Sequence, residues 1–496
     1  MRMMVAAAAL LVAGPAIAGP QLATPVTGDD YWQSGRAAIA ARLKVINRPQ
    51  RAKNVILMIG DGMGVATVTA ARIFDGQYPD DKRAKASGEE NLLSFEKLPN
   101  VALIKTYNTD AQVSDSAGTA SALNTGVKTR IGYINFAQNQ TVEACKTPEA
   151  LPRTIAELAK AQGMAVGIVS TARITHATPA AVFAHVPNRN WEGTDRAYPA
   201  AERASGCADI ASQLVAFQPG GGLDLALGGG LAQFRTPAAG GQRDDGRDLV
   251  EAWQQRFPSG KFVSDSKGLS ALSAATNGPV LGLFNKSHMT FEADRAATSE
   301  PSLTEMTKFA LAKMKASGPK GYYLMIEGGR IDHAHHASNP YRALSETQQF
   351  SRAVAEVLAT VDLDETLVLV TADHSHVLTM AGYPMRGNDI LGYIKNARGG
   401  EGGGPTSPEG WALDDHGQPM TTLSYANGSF ITPGLSRLLP PNDKNYLANK
   451  LHGTDGESHG GEDVALYATG PRAHLVGGVM EQNVVFHVIA EALGWK

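Results

Sequence analysis

Four short apolar runs constrain the fold of this chain more than any other feature of its 496 residues. They lie at 55–59, 165–169, 322–326 and 366–370. They are rich in Val, Ile, Leu and Met without polar alternation, which is typical of strands covered on both faces. Helical patterns lie between them at 151–162 and at 303–315, where Ser302 and Glu305 have the spacing of a capping box. Alternating strands and helices predict an α/β fold around a central, largely parallel sheet.

Segments that contain Asp, Glu, His and Thr come directly after the four predicted strands, at 60–64, 170–178, 327–336 and 371–376. Ligands of parallel α/β sheets bind outside the carboxyl ends of the strands, so these segments are expected to meet. Carboxylates crowded together raise one another's pKa unless cations neutralise them. Asp with His is typical of zinc sites, and Asp, Glu and Thr oxygens are typical of magnesium sites. Asp332 and His336 are four residues apart, which places both on one face of a helical turn.

Ser116 is the candidate nucleophile and lies in the segment 113–122. The small residues after it allow a tightly packed helix that begins at Ser116. Backbone N–H groups and the positive end of the helix dipole at such a position favour an alkoxide or a phosphate oxygen. A serine at the start of a helix is otherwise most often an N-cap, and from the residues alone this alternative stays open.

The net charge indicates what the protein binds, and the residues near the two chain ends indicate where it acts. The net charge of −3 does not favour a general nucleic-acid-binding function. Arg2, the apolar run 5–13 and Ala16-Ile17-Ala18 form the pattern of a secretory signal, 1–18, with a buried N-terminal helix as the alternative. The run is too short to span a bilayer, and 492–496 lack the apolar tail of a lipid-anchor signal. We expect a periplasmic or secreted protein without a membrane anchor.

Two further features concern the organisation of the chain between these motifs. Cys145 and Cys207 are its two cysteines, and in an exported protein we expect them to pair, with two separate buried thiols as the alternative. Residues 386–452 are rich in Gly and Pro with weak apolar periodicity, so we interpret them as a surface subdomain inserted into one domain at 19–496.

Five motifs of this chain occur together in one known family. They are Asp61-Gly62-Met63-Gly64, Asp115-Ser116-Ala117, 327–339, 371–376 and Ser458-His459-Gly460-Gly461-Glu462-Asp463. In combination they resemble the alkaline phosphatase family, over about 53–494 of the chain. The resemblance implies a three-layer α/β sandwich, a crown-like subdomain at about 386–452 and a homodimer. It also implies hydrolysis of phosphate monoesters to an alcohol and inorganic phosphate through a phosphoserine.

The resemblance implies a role for each site residue, with two zinc ions and one magnesium ion as cofactors. The ligands of the first zinc are Asp332, His336 and His459. The ligands of the second zinc are Asp61, Asp373 and His374, and the magnesium ion is bound by Asp61, Thr178 and Glu327. The remaining residues are the nucleophile Ser116, the phosphate-binding Arg189, and the supporting Asp115, His176 and His333. A planar guanidinium suits Arg189 to this role because it can bind two phosphate oxygens at once.

Several positions resemble the vertebrate-type branch of the family. The histidines His176 and His333 are of the vertebrate type, and Cys145 and Cys207 lie where that branch has a disulfide. Asn285 stands where the calcium site of that branch has an acidic ligand, so we do not expect a fourth metal ion.

Two alternative functions are compatible with part of this set of motifs. One is a sulfatase or phosphodiesterase of the same superfamily, although the sulfatase motif C/S-x-P-x-R is missing at Ser116. The other is a zinc-binding protein without enzymatic activity, which would require the loss of a nucleophile or metal ligand. No such residue is missing from the motifs.

Overall fold

The computed structural model describes residues 47–195, 197–198, 200–204, 206–397, 404–428 and 439–495, together with residues 37, 39, 44 and 45. The chain divides into two units, 1–46 and 47–496. The predicted signal peptide at 1–18 lies outside the described residues, and so do 398–403 and 429–438 of the predicted insert.

Ten strands of the described chain form a central sheet, and five short strands lie outside it. In chain order the strands are β1 (Asn54–Gly60), β2 (Asn100–Lys105), β3 (Ala165–Arg173), β4 (Leu225–Gly229), β5 (Lys261–Val263), β6 (Val280–Leu283), β7 (Tyr322–Gly328), β8 (Thr366–Ala372), β9 (Ser375–His376), β10 (Leu378–Met380), β11 (Leu423–Gly428), β12 (Lys450–Gly453), β13 (His459–Gly460), β14 (Val464–Thr469) and β15 (Gly478–Glu481). Their order across the central sheet is β15-β2-β14-β8-β1-β7-β3-β4-β6-β5. Neighbours are parallel, except that β14 is antiparallel to both β2 and β8. The predicted largely parallel sheet is confirmed.

Helices cover both faces of this sheet, since β1, β7 and β8 are buried at every position. The α-helices of the described chain are α1 (Val65–Gln77), α2 (Ser116–Thr125), α3 (Ile155–Ala161), α4 (Ala177–Ala180), α5 (Ala200–Arg203), α6 (Ile210–Ala216), α7 (Leu231–Phe234), α8 (Leu249–Arg256), α9 (Ser266–Ala271), α10 (Glu292–Arg295), α11 (Leu303–Ser317), α12 (Arg330–His336), α13 (Pro340–Thr360) and α14 (Val484–Leu493). Helix α13 packs against α1 and α11, whereas α2 packs against α4 and α14. The predicted α/β fold is thereby confirmed.

Both predicted helices are present, but only the second one begins at the predicted residue. The helix expected at 303–315 is α11, and the Ser302 hydroxyl accepts a hydrogen bond from the N–H of Glu305, as the capping box requires. The helix expected at 151–162 is the shorter α3. Its start is fixed by Thr154, which accepts a hydrogen bond from the N–H of Glu157, so the residues before Thr154 stay outside the helix.

Cys145 and Cys207 form a disulfide, with Cα atoms 5.1 Å apart, so the predicted pairing is confirmed in the structure. In the described part of the predicted insert, 386–452, β11 pairs with β10 and with β12, whose last residue lies beyond the predicted end. The Tyr425 hydroxyl of β11 lies 2.8 Å from His335 Nδ1, so β11 contacts α12. Among the described residues, no helix combines the length and the apolar character needed to cross a membrane.

Replacing both cysteines by alanine is expected to lower the free energy of unfolding by about 2–4 kcal/mol, because the unfolded chain loses the constraint of a long closed loop. Urea denaturation of the Cys145→Ala/Cys207→Ala variant beside the oxidised wild type measures the difference. Wild-type protein held in a reducing agent is the control and should unfold at the same urea concentration as the variant. Equal stability of the variant and the oxidised wild type would contradict the prediction.

Candidate active site

The carboxyl ends of β8, β1, β7 and β3, which are neighbours in the sheet, lie at one edge. Asp61 comes directly after β1, Asp373 and His374 come after β8, and Glu327 is near the end of β7. Helix α12, next in the chain after β7, carries Asp332, His333 and His336, while β3 leads to His176 and to Thr178 in α4. The four polar segments therefore meet at one edge of the sheet, as the sequence predicts.

Gly62 lets the chain turn sharply directly after Asp61. Its φ of +70° is in the left-handed region, where a side chain is strained. A Cβ atom at this position would also lie 2.3 Å from the Cδ2 atom of His376. The close approach of this turn to His376 thus depends on glycine.

The first cluster of ligand groups consists of Asp332, His336 and His459. The Nε2 atoms of His336 and His459 are 3.1 Å apart. They lie 3.2 Å and 3.3 Å, respectively, from Asp332 Oδ1. Three ligand atoms about 2.0–2.1 Å from a tetrahedral zinc would lie about 3.3 Å from one another, so the spacing fits a zinc ion.

Hydrogen bonds at Nδ1 turn these imidazoles so that Nε2 faces the cluster. His336 Nδ1 donates to the carbonyl oxygen of Glu457 at 2.5 Å, and His459 Nδ1 donates to that of Ser114 at 2.7 Å. A fixed Nδ1–H leaves the lone pair on Nε2, which is the form that binds a metal.

Burial by itself would raise the pKa of Asp332, but His336 and the other histidines hold this pKa well below its usual value.

The second cluster consists of Asp61, Asp373 and His374, all fully buried. His374 Nε2 is 3.3 Å from Asp373 Oδ2 and 3.5 Å from Asp61 Oδ1, again a spacing that fits a metal ion. Burial and the neighbouring Asp373 raise the pKa of Asp61 well above its usual value. Burial lowers the pKa of His374, so that its ring is neutral. A cation in this cluster would relieve the buried charge of the carboxylates.

Three buried oxygens of predicted site residues lack hydrogen-bond partners. Asp61 Oδ2, Thr178 Oγ1 and Glu327 Oε1 have no hydrogen-bond partner of normal geometry, whereas the other Glu327 oxygen accepts from the Ser170 hydroxyl. Buried polar atoms are rarely left without a partner. All three are hard oxygen donors, the type that magnesium prefers. They belong to Asp61, Thr178 and Glu327, the three residues for which the family resemblance implies magnesium.

Ser116 is the first residue of α2, and its hydroxyl is free of a capping role. The N-cap is Asp115, whose carboxylate accepts a hydrogen bond from the N–H of Gly118 at 3.1 Å. The alternative in which Ser116 itself caps the helix is therefore wrong. Ser116 Oγ lies 3.0 Å from His374 Nε2 and 3.5 Å from Asp61 Oδ1, so it faces the second cluster.

Arg189 faces the same cavity as Ser116. Its guanidinium contacts Asp115 Oδ2 at 3.0 Å through Nη1 and His176 Nε2 at 3.1 Å through Nη2. The cavity measures about 380 Å³ and is lined by Ser116, Arg173, His176, Arg189, Asn190, Glu192, Asp332, His333, His336 and His459. Burial lowers the pKa of His333 to about 3, so its ring is neutral. A phosphate-sized group fits beside the serine hydroxyl and the guanidinium.

Four side chains at this site are not predicted by the sequence: Arg173, His288, His376 and Glu457. The ring of His288 lies 3.9 Å from that of His333, centre to centre. It comes after β6 as the other site residues come after their strands, but β6 is too short to be found as an apolar run. His376 stands within the segment 371–376, and its Nε2 is 2.8 Å from Asp332 Oδ1.

Asn285, the residue at which the family resemblance would place an acidic calcium ligand, carries a neutral amide. Its amide donates a hydrogen bond to Glu300 Oε1 at 2.6 Å, and the N–H of Thr290 donates to Glu300 Oε2 at 2.7 Å. The buried Glu300 carboxylate is thus satisfied by hydrogen bonds from its own chain.

A sequence model of the family described as alkaline phosphatase matches residues 52–495 of this chain. The chain belongs to the alkaline phosphatase family. Among its relatives, the tissue-nonspecific alkaline phosphatase of Gallus gallus is 41% identical over 486 residues, which cover 93% of this chain and 89% of that protein. The corresponding Homo sapiens isozyme is 39% identical over 462 residues, which cover 89% and 83%. This member of the family is a phosphomonoesterase, rather than a sulfatase, a phosphodiesterase or a zinc-binding protein without enzymatic activity.

Solved structures of bacterial alkaline phosphatases share its fold. The Thermus thermophilus enzyme superposes with a TM-score of 0.64 at 24% identity, covering 91% of this chain and 93% of its own. The enzyme from the Antarctic bacterium TAB5 gives a TM-score of 0.62 at 22% identity, covering 90% and 100%. At these identities the likeness shows the fold alone.

The Glu327 carboxyl should make the metal-free protein sensitive to pH. Burial raises the pKa of this group to about 7, against 4.5 in an unfolded chain. The stability that it contributes is complete below the unfolded value and is lost as the pH rises through the folded value. The Tm of protein kept in EDTA should therefore fall between about pH 5 and pH 8, and less steeply for Glu327→Gln.

Glu346→Gln is the matched control for this experiment, because burial also raises the pKa of Glu346 to about 7. Glu346 lies on α13 outside the three clusters, so its contribution should be the same with and without metal ions. Coincident profiles of wild type and Glu327→Gln in EDTA would show that Glu327 is not the titrating group.

Proposed function

We propose that this chain hydrolyses phosphate monoesters through a phosphoserine on Ser116, with two zinc ions and one magnesium ion. The observation that carries the proposal is the place of the Ser116 hydroxyl, at a helix N-terminus, 3.0 Å from His374 and in one cavity with Arg189. In this proposal the first zinc is held by Asp332, His336 and His459, the second by Asp61, Asp373 and His374, and the magnesium ion by Asp61, Thr178 and Glu327.

In the first step Ser116 Oγ attacks phosphorus opposite the ester oxygen. The Ser116 Oγ–H proton passes to water, the Oγ–P bond forms as the bond between phosphorus and the alcohol oxygen breaks, and the alcohol leaves with a proton from water. When bound, the two zinc ions lower the pKa of the hydroxyl and of water and stabilise the entering and leaving oxygens. The N-terminus of α2 adds its backbone N–H groups at the same position.

Arg189 holds the phosphoryl group while both displacements take place. Asp115 orients its guanidinium at 3.0 Å, so two of its N–H groups can bind two phosphoryl oxygens. In the second step a water oxygen attacks the phosphoserine, the Oγ–P bond breaks, Ser116 Oγ takes up a proton that the water releases, and inorganic phosphate leaves. His176 and His333 line the cavity as neutral rings that orient the phosphoryl group and Arg189.

The remaining properties are expected from the family resemblance. We propose that the chain is exported to the periplasm or secreted after cleavage behind Ala18, and that residues 19–496 act as a homodimer with a crown-like subdomain at about 386–452. In this mechanism the cavity residues bind the phosphoryl group and not the alcohol, so we expect the protein to hydrolyse a broad range of phosphate monoesters. Alkoxide and hydroxide are the attacking species, so turnover should rise towards alkaline pH.

Ser116→Ala should lower kcat on p-nitrophenyl phosphate by at least about 10³-fold, because the nucleophile is lost while the metal ligands remain. Steady-state kinetics measure the loss, and elemental analysis should find the same zinc content as in wild type. Ser458→Ala, which removes an exposed hydroxyl beside His459, is the control and should retain full turnover. Unchanged turnover of Ser116→Ala would refute the proposed mechanism.

Purified protein is expected to contain two zinc ions and one magnesium ion per chain by mass spectrometry of the elements. Dialysis against EDTA should abolish phosphatase activity, because the buried carboxylates then lack their cations, and Zn²⁺ with Mg²⁺ should restore it. Ca²⁺ alone serves as the control and should restore nothing. Full turnover in EDTA by a protein free of zinc would contradict the metal assignment.

A further inference from the structure

A buried carboxylate that takes no part in the proposed steps lies behind the first cluster. Glu457 lies between β12 and β13 and is 3% exposed. Its Oε2 is 2.6 Å from His376 Nδ1, and its Oε1 accepts a hydrogen bond from the N–H of Val377 at 2.9 Å. Both carboxylate oxygens are therefore engaged, and the described ion pairs of this residue are with His336 and His376.

The backbone of Glu457 holds a second histidine of the same cluster. Its carbonyl oxygen accepts the hydrogen bond from His336 Nδ1 at 2.5 Å, and its N–H donates to the carbonyl oxygen of His336 at 3.1 Å. One residue thus fixes the Nδ1 atoms of two imidazoles. This leaves the Nε2 atoms of both rings directed towards Asp332 Oδ1, at 3.2 Å for His336 and 2.8 Å for His376.

We propose that Glu457 is the positioning residue of the first metal site. It holds the ligand His336 directly and the ligand Asp332 through His376. This inference rests on the proposed function, because it takes Asp332, His336 and His459 as zinc ligands. Groups that orient metal ligands in this way commonly change metal affinity 10–100-fold when they are removed.

A glutamine at position 457 would test the role of the carboxylate with little change in volume. Its amide has one accepting oxygen, whereas His376 Nδ1–H and the Val377 N–H both require an acceptor. In Glu457→Gln one of these donors meets the amide NH₂ group. His376 then loses its fixed orientation, and Asp332 with it, while the contacts of the Glu457 backbone to His336 remain.

The experiment measures zinc affinity directly, by competition between the protein and a chromophoric zinc chelator. In Glu457→Gln one of the two zinc ions should bind about 10–100-fold more weakly, and the other as in wild type. Glu346→Gln is the matched control, because Glu346 is also a buried carboxylate that accepts a backbone N–H, from Glu292. It should bind both zinc ions as wild type does.

Equal affinity of wild type and Glu457→Gln for both zinc ions would overturn the inference. Weaker binding of both ions, with a lower Tm in EDTA than that of wild type, would also overturn it, since the role would be general stability. If Glu457→Gln does not fold, Glu457→Asp keeps the charge but is too short to reach both donors, and the same two outcomes decide. A wild-type protein without zinc would instead refute the proposed function itself.

Discussion

The burial of four carboxylates at one edge of a sheet is the constraint on which the rest of this structure depends. Asp61, Glu327, Asp332 and Asp373 are all nearly or fully inaccessible. The described ion pairs of the three aspartates are with histidines, not with Lys or Arg. Uncompensated, such burial costs several kcal/mol for each charge. In the proposed function, cations bound among the imidazoles and the three oxygens without partners would offset this cost. The covered sheet and the fixed orientations of the histidines hold this arrangement in place.

Much of the fold and of the site could be predicted because both depend on local sequence. A buried parallel strand is an apolar run, and the residues directly after it lie at the ligand-binding edge, so Asp61, Asp373 and the residues of α12 can be located within a few positions. The capping box at Ser302 is equally local. The family resemblance adds the assignment of these residues to particular metal ions, which spacing does not provide.

The features that could not be predicted depend on contacts between distant parts of the chain. Glu457 and His336 are 121 positions apart, and nothing in the sequence around either indicates that they touch. His288 could not be located because β6 is too short to stand out as a strand. Asp115 and Ser116 are adjacent polar residues, and the sequence does not show which of the two side chains caps the N–H groups of α2. Asp115 does so because Asn108 and Arg189 hold its carboxylate in place.

The position of β14 in the sheet affects the order in which the parts of the molecule can fold. It lies between β2 and β8, yet its first residue, 464, comes 92 positions after residue 372 at the end of β8. During synthesis β8 therefore presents an open edge until the chain between β8 and β14 has left the ribosome. His459 arrives with that same late segment. The serine, the guanidinium and the second cluster can assemble early, whereas the first cluster is completed only when β14, the last inner strand, closes the sheet.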